Sequence, residues 1–227
     1  MRAFAAHPSP NFGPRRHGAL PDLVVIHYTA MPSCAEAAAR LCDPVAEVSA
    51  HYLIDVDGSL QALVPEELRA WHAGAGAWGA CHDVNSRSIG IELANAGNDP
   101  FPEAQMQALE VVLADLMARW QIVPERVIGH SDMAPGRKSD PGPLFDWRRL
   151  ADRGLSVWPM VTQEADPAEF RAKARAFGYP DVAQEDLLQA FRLRFRPGFS
   201  GPLDAVDAAL AADLAAHWPV DCGRPDR

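Results

Sequence analysis

The stretch 23-LVVIHYTA-30 decides the fold class. Four apolar residues, three of them β-branched, run into a histidine with no polar break, which reads as a buried strand. Upstream lies an irregular arm of about 20 residues, interrupted by Pro8, Pro10 and Pro14. Downstream, 33-SCAEAAARLC-42 offers a serine N-cap and an alanine-rich body, a short helix. The stretch 51-HYLIDVDGSLQALV-64 reads as two strands around Asp57-Gly58, a hairpin signal. Residues 69–85 carry two tryptophans among glycine and asparagine breakers and read as a loop; 88-SIGIELAN-95 returns to strand. In 103-EAQMQALEVVLADLMARW-120, Met106, Leu109, Leu113, Leu116, Met117 and Trp120 share one helical face. A short strand at 126-RVIGH-130 leads into a glycine- and proline-rich loop over 131–143.

Strands alternating with helices imply an α/β fold, a sheet covered by helices. After Trp158-Pro159 the strand signal ends, and three helices are expected at 167–177, 184–196 and 204–217. Their apolar faces are Phe170/Phe177, Leu187/Leu188/Phe191/Phe195 and Val206/Leu210/Leu214. The expected division is an α/β domain at 1–160 and a small three-helix domain at 161–227.

Composition narrows the partners. With 48% hydrophobic and 22% charged residues the chain is neither disordered nor fibrous. A net charge of −9 argues against an electrostatic grip on nucleic acid or anionic membrane. No apolar run approaches the ~18 residues of a membrane span. The first residues lack the apolar core of a signal peptide, so a cytoplasmic location is expected, or a periplasmic one if the true start lies upstream. Cys34, Cys42, Cys81 and Cys222 are too sparse for a disulfide scaffold and read as small buried thiols. Positive charge is written almost wholly as arginine: of 21 basic residues only Lys138 and Lys173 are lysine.

Three polar groups stand where strands run out. His27 ends the first strand, His130 ends the strand at 126–130, and Asp140 follows in the constrained loop. Ends of adjacent strands converge on one crevice in an open α/β sheet. Two imidazoles and a carboxylate with a vacant fourth position would suit a catalytic zinc, although the spacing alone is a weak signal. Glu92 lies mid-strand, with Gly90 and Ala94 on its face; such a carboxylate is either ion-paired in the interior or faces a cleft. Lys138, two residues before Asp140, is either a solvated loop residue or a compact ammonium placed for a purpose.

The stretches VVIHYTA, VSAHYLIDVDGSL, LRAWHAG, NSRSIGIELAN and GHSDMAPGRKSDPGP resemble the zinc-dependent N-acetylmuramoyl-L-alanine amidases, related to phage T7 lysozyme and to the animal peptidoglycan-recognition proteins, and within them the bacterial AmiD/AmpD branch. The resemblance covers residues 8–159. It implies a mixed central β-sheet flanked by helices, zinc ligands His27, His130 and Asp140, Glu92 as general base and Lys138 as stabiliser of the transition state. The T7 enzyme uses cysteine as third ligand; aspartate at 140 is the usual choice of the AmiD/AmpD branch. The helical tail, with LLQAFRLRFRPGFSGPLDAVDAAL, is similar to the peptidoglycan-binding domain attached to AmiD-type enzymes.

Around that site Trp71, His72, Trp78 and Asn85 are expected to line a substrate groove. His51 reads as an interior or supporting residue, His7, His17 and His217 as surface, and His82 beside Cys81 is not read as a metal ligand. Arg192, Arg194 and Arg196 read as a solvated helix face rather than as ligands for peptide carboxylates. The expected activity is zinc-dependent hydrolysis of the amide between N-acetylmuramic (or 1,6-anhydro-N-acetylmuramic) acid and L-alanine. The expected partners are peptidoglycan fragments or murein. The rival is a non-catalytic module that only binds peptidoglycan. Oligomeric state and stem-peptide preference are not legible.

Overall fold

The computed structural model describes residues 5–6, 8–161 and 164–220. Strands β1 (Ala5–Ala6) and β2 (Phe12–Pro14) precede β3 (Leu23–Tyr28) and helix α1 (Cys34–Leu41). Then come β4 (Tyr52–Ile54), β5 (Leu60–Ala62), β6 (Leu68–Ala70), α2 (Val84–Arg87), β7 (Ser88–Leu93) and α3 (Glu103–Trp120). β8 (Val127–Gly129), α4 (His130–Met133) and α5 (Trp147–Asp152) follow, and the tail holds α6 (Phe170–Phe177), α7 (Gln184–Phe195) and α8 (Ala205–His217).

Six strands form one sheet in the order β1-β5-β4-β7-β3-β8. The β4–β5 hairpin is antiparallel and every other pairing in it is parallel, so the sheet is mixed, as the resemblance implies. The hairpin turns at Gly58, whose φ of +83° and whose approach to Ala104 (a Cβ would lie 2.6 Å from that carbonyl oxygen) both require glycine. β3 lies between β7 and β8, which explains its unbroken apolar run: it is buried on both faces. Val24 and Ile26, with Ile89, Ile91 and Leu93, pack under Met106, Leu109, Leu113 and Leu116 of α3. Leu23 and Val25 face the other way, into a core they share with Phe170, Phe177 and Phe191 of the tail. The tail helices thus close the second face of the sheet.

Several expectations change. The N-terminal arm is not irregular: β1 pairs with β5, β2 pairs with β6, and buried Arg15 donates to the carbonyls of Glu66, Ser86 and Ser88. The ends of the 69–85 loop are taken by β6 and α2. His130 does not end a strand; β8 stops at Gly129 and His130 opens α4. Helix α5, capped by Asp146 accepting from the Arg149 N–H, has no counterpart in the sequence reading. Val206 is 39% exposed and off the apolar face of α8, while Leu210 and Leu214 are buried.

Arg192 and Arg194 are not solvated. Helix α7 is packed on two sides, so both guanidinia are enclosed and each meets a buried aspartate: Arg192 pairs with Asp207 of α8, and Arg194 with Asp132 of α4. Arg196 is ion-paired to Asp204 and Asp207 and lies over the Phe199 ring. Cys34 and Cys81 are buried free thiols and Cys42 is half-buried; His7 and Cys222 lie outside the described residues.

Candidate metal centre

The parallel register sets His27 of β3 beside Glu92 of β7, both on the face opposite α3. The first turn of α4 brings His130 to the same spot, and the Ser131 N–H donates to the Asp140 carbonyl at 2.9 Å, fastening the loop that carries the third ligand. His27 Nδ1, His130 Nδ1 and Asp140 Oδ2 form a triangle with sides of 2.9, 2.9 and 3.0 Å, all three side chains buried.

The outer ring nitrogens are taken: His130 Nε2 lies 2.9 Å from the Ala73 carbonyl and His27 Nε2 lies 3.0 Å from His72 Nδ1. The two inner nitrogens therefore turn lone pairs toward a carboxylate oxygen. Three acceptors converging on one point call for a cation. Their spacing approaches the ~3.3 Å expected between neighbouring ligands of a tetrahedral zinc with bonds of about 2.0–2.1 Å. The donor set, two imidazoles and one carboxylate, suits zinc and leaves a fourth position open on the cavity side.

Burial, and then the neighbouring His130, lower the His27 pKa to about 4, so the ring is neutral and ready to ligate at neutral pH.

A cavity of about 330 Å³ opens over the triad. Glu92 stands in it half-buried, and its Oε2 has no hydrogen-bond partner among the described residues. Loss of water, then the charge of Asp140, raise its pKa well above the ordinary carboxylate value; Lys138 opposes the rise. Of the alternatives open to Glu92, the cleft-facing one holds. Lys138 lines the same cavity, exposed and without a carboxylate partner among the described residues. Arg40 and Arg137, neither singled out in the sequence, add two more cations to the lining of an acidic protein.

The groove residues divide. Trp71 lines the cavity. His72 also reaches it, but its ring is engaged behind His27. Trp78 does not line a groove: it is 0% exposed, in edge-on contact with Phe177 and Tyr179 under the tail. Asn85 is also buried, its Oδ1 accepting from the N–H groups of His72 and Ala73 at 3.1 and 2.9 Å. Short-range composition marked both as loop polar or aromatic residues; only the packing of the tail and of the 71–75 segment shows what they touch. His51 is an interior residue as expected, accepting from the Gly90 N–H at 2.9 Å. His17, His82 and His217 are exposed.

A family profile described as N-acetylmuramoyl-L-alanine amidase matches residues 17–143, a span that contains all three ligands. The N-acetylmuramoyl-L-alanine amidase AmiD of Escherichia coli K12 is 37% identical over 234 residues, covering 88% of this chain and 84% of its own. The solved complex of that E. coli enzyme with anhydro-N-acetylmuramic acid-L-Ala-D-gamma-Glu-L-Lys superposes with a TM-score of 0.80 at 36% identity, covering 89% of this chain and 92% of its own. AmpDh3 from Pseudomonas aeruginosa in complex with anhydromuramic pentapeptide gives 0.79 at 31% identity, covering 90% and 95%. These matches reach beyond the profile into the tail, and the mixed sheet, the His/His/Asp triangle and the profile agree: the chain belongs to the N-acetylmuramoyl-L-alanine amidase family.

Proposed function

We propose that the protein hydrolyses the amide between the lactyl group of N-acetylmuramic or 1,6-anhydro-N-acetylmuramic acid and the L-alanine of the stem peptide, with soluble anhydro-muropeptides as its preferred substrates. The observation that carries the reading is the convergence of the three ligand atoms with an unpartnered carboxylate, Glu92, and an unpaired ammonium, Lys138, on one cavity. A binding-only module has no use for a desolvated, unpaired glutamate beside a complete ligand set. The preference for a soluble fragment rests on the net charge of −9, which disfavours approach to anionic wall polymers, and on the anhydro-muropeptides held by both solved relatives.

His27, His130 and Asp140 would hold the zinc. Bound there, zinc polarises a carbonyl and lowers the pKa of water toward ~7. Glu92 takes the proton from the attacking water and returns it to the leaving amine of L-alanine. Desolvation suits it to both tasks, because a carboxyl with a raised pKa is a stronger base toward the water proton and can then hand that proton to the amine. Lys138 directs its ammonium at the negative charge that grows on the carbonyl oxygen; one such preorganised donor is worth ~3–4 kcal/mol. Trp71 offers an apolar face to the substrate at the cavity wall.

The test is to offer the purified, zinc-loaded protein both an anhydro-muropeptide and intact sacculi. Release of the free peptide with a new N-terminal alanine from the soluble fragment is the expected result. Release from sacculi alone would overturn the preference, and release from neither would overturn the amidase reading.

A further inference from the structure

The histidine and asparagine of the 71–85 stretch do a job other than the groove role their sequence suggests. Ser88 donates its hydroxyl proton to the Val84 carbonyl at 2.6 Å, so its oxygen is left to accept from His72 Nε2 at 3.1 Å. His72, carrying its proton on Nε2, then presents a bare Nδ1 to His27 Nε2 at 3.0 Å. His27 must therefore carry its own proton on Nε2, and its Nδ1 is free for the metal. The chain of three hydrogen bonds ends on a backbone carbonyl, which cannot reverse its polarity, so the tautomer of the ligand is fixed from outside the site.

The other histidine ligand is oriented by the adjacent residue. The Ala73 carbonyl receives His130 Nε2, and it also receives Arg137 Nη2 at 2.6 Å. One side-chain oxygen, Asn85 Oδ1, holds the backbone N–H groups of both His72 and Ala73. Room for the brace is provided by Gly90: a Cβ there would lie within 2.7 Å of three atoms of the His72 ring.

We propose that His72, Ala73 and Asn85 form one brace that sets the tautomer of His27 and the orientation of His130, making His72 and Asn85 positioning residues for the metal. The proposal rests on the reading of His27, His130 and Asp140 as zinc ligands. Partners of this kind typically govern 10–100-fold of metal affinity.

Zinc dissociation constants of the metal-stripped, full-length protein, measured by competition with a chromophoric chelator, test it. His72→Leu and Asn85→Leu are expected to weaken zinc binding by about 10–100-fold. His72→Asn, which keeps an acceptor toward His27, is expected to recover a large part of the loss, a recovery that a merely space-filling role would not give. Long-range proton–nitrogen spectra of the metal-free protein are expected to show His27 as the Nε2–H tautomer, and both tautomers in His72→Leu. Should His72→Leu fail to fold, Ser88→Ala decides by the same spectrum, since it leaves the ring in place and removes only its acceptor. A parent protein that bound no zinc would overturn the site and the brace together. A parent that binds zinc, with folded His72→Leu within twofold of it and the His27 tautomer unchanged, would overturn the brace alone.

Discussion

The carboxylate of Asp132 and the guanidinium of Arg194 meet at 2.7 Å with both side chains closed off from solvent. Asp132 lies two residues beyond the ligand His130, on the turn that carries it, and also accepts from the Gly129 N–H at 2.8 Å and the Tyr179 hydroxyl at 2.6 Å. Arg194 reaches onward to the Val127 carbonyl and to Ser156. The tail is thereby bound to the element that holds a ligand, through an ion pair shut off from water.

Breaking that pair from one side leaves an uncompensated buried charge, which costs about 3–5 kcal/mol. Arg194→Leu is therefore expected to lower the melting temperature by about 10 °C in a chain of this size, as read by calorimetry. Arg171, half-buried and paired with the exposed Asp181, serves as the control: Arg171→Leu is expected to shift melting by no more than about 2 °C.

Glu92→Gln is expected to keep the fold and bind zinc while kcat falls by about 10²–10⁴-fold, the usual share of a general base. Because burial raises the Glu92 pKa, its charged form is disfavoured in the folded protein. The neutral isostere is therefore also expected to melt at a higher temperature in the metal-free state. A variant with full turnover removes Glu92 from the reaction.

Lys138→Ala is expected to lose about 10²–10³-fold in kcat with little change in KM, since the charge it meets develops only in the transition state. Lys138→Arg is expected to restore only part, because a planar fork does not place charge where a compact ammonium does. Steady-state kinetics on a soluble muropeptide separates the two effects.

Acid is expected to destabilise the metal-free protein well above the carboxylate range. His51 is shut off from water beside Arg15 and His72, and burial lowers its pKa to about 3. Its folded value lies below the unfolded one, so as pH falls from about 6.5 toward 3 the unfolded chain takes up a proton that the native one refuses. Stability from this group is complete above that window and declines within it, by about 2 kcal/mol at pH 5. Urea unfolding at pH 7.5 and 5.0 measures the difference, and the pH dependence of His51→Gln is expected to be shallower.

The sequence by itself determined β3, β4, β5, β7 and β8, the long helix, the three tail helices and, through the family motifs, the ligand set, while β1, β2 and β6 went unread. Each of those rests on local pattern: apolar periodicity in 103–120, the β-branched run at 23–26, and motifs in which a histidine or aspartate keeps a fixed place. The alternation of Gly90 and Glu92 on one strand face was likewise legible, because side chains in a strand alternate whatever the tertiary context. What a side chain meets across the molecule was not. Trp78 and Asn85 have the composition of groove residues and are instead buried, one under Phe177 and Tyr179, the other beneath the backbone of His72 and Ala73. Arg192 and Arg194 have the spacing of a solvated face, yet Asp207 and Asp132 enclose them from elements far along the chain. Charge pairing and outer hydrogen bonds to a metal ligand act through space between residues tens of positions apart. Only the packing of the tail and of the 71–85 segment against the sheet could therefore decide which polar groups face the cavity and which hold it in shape.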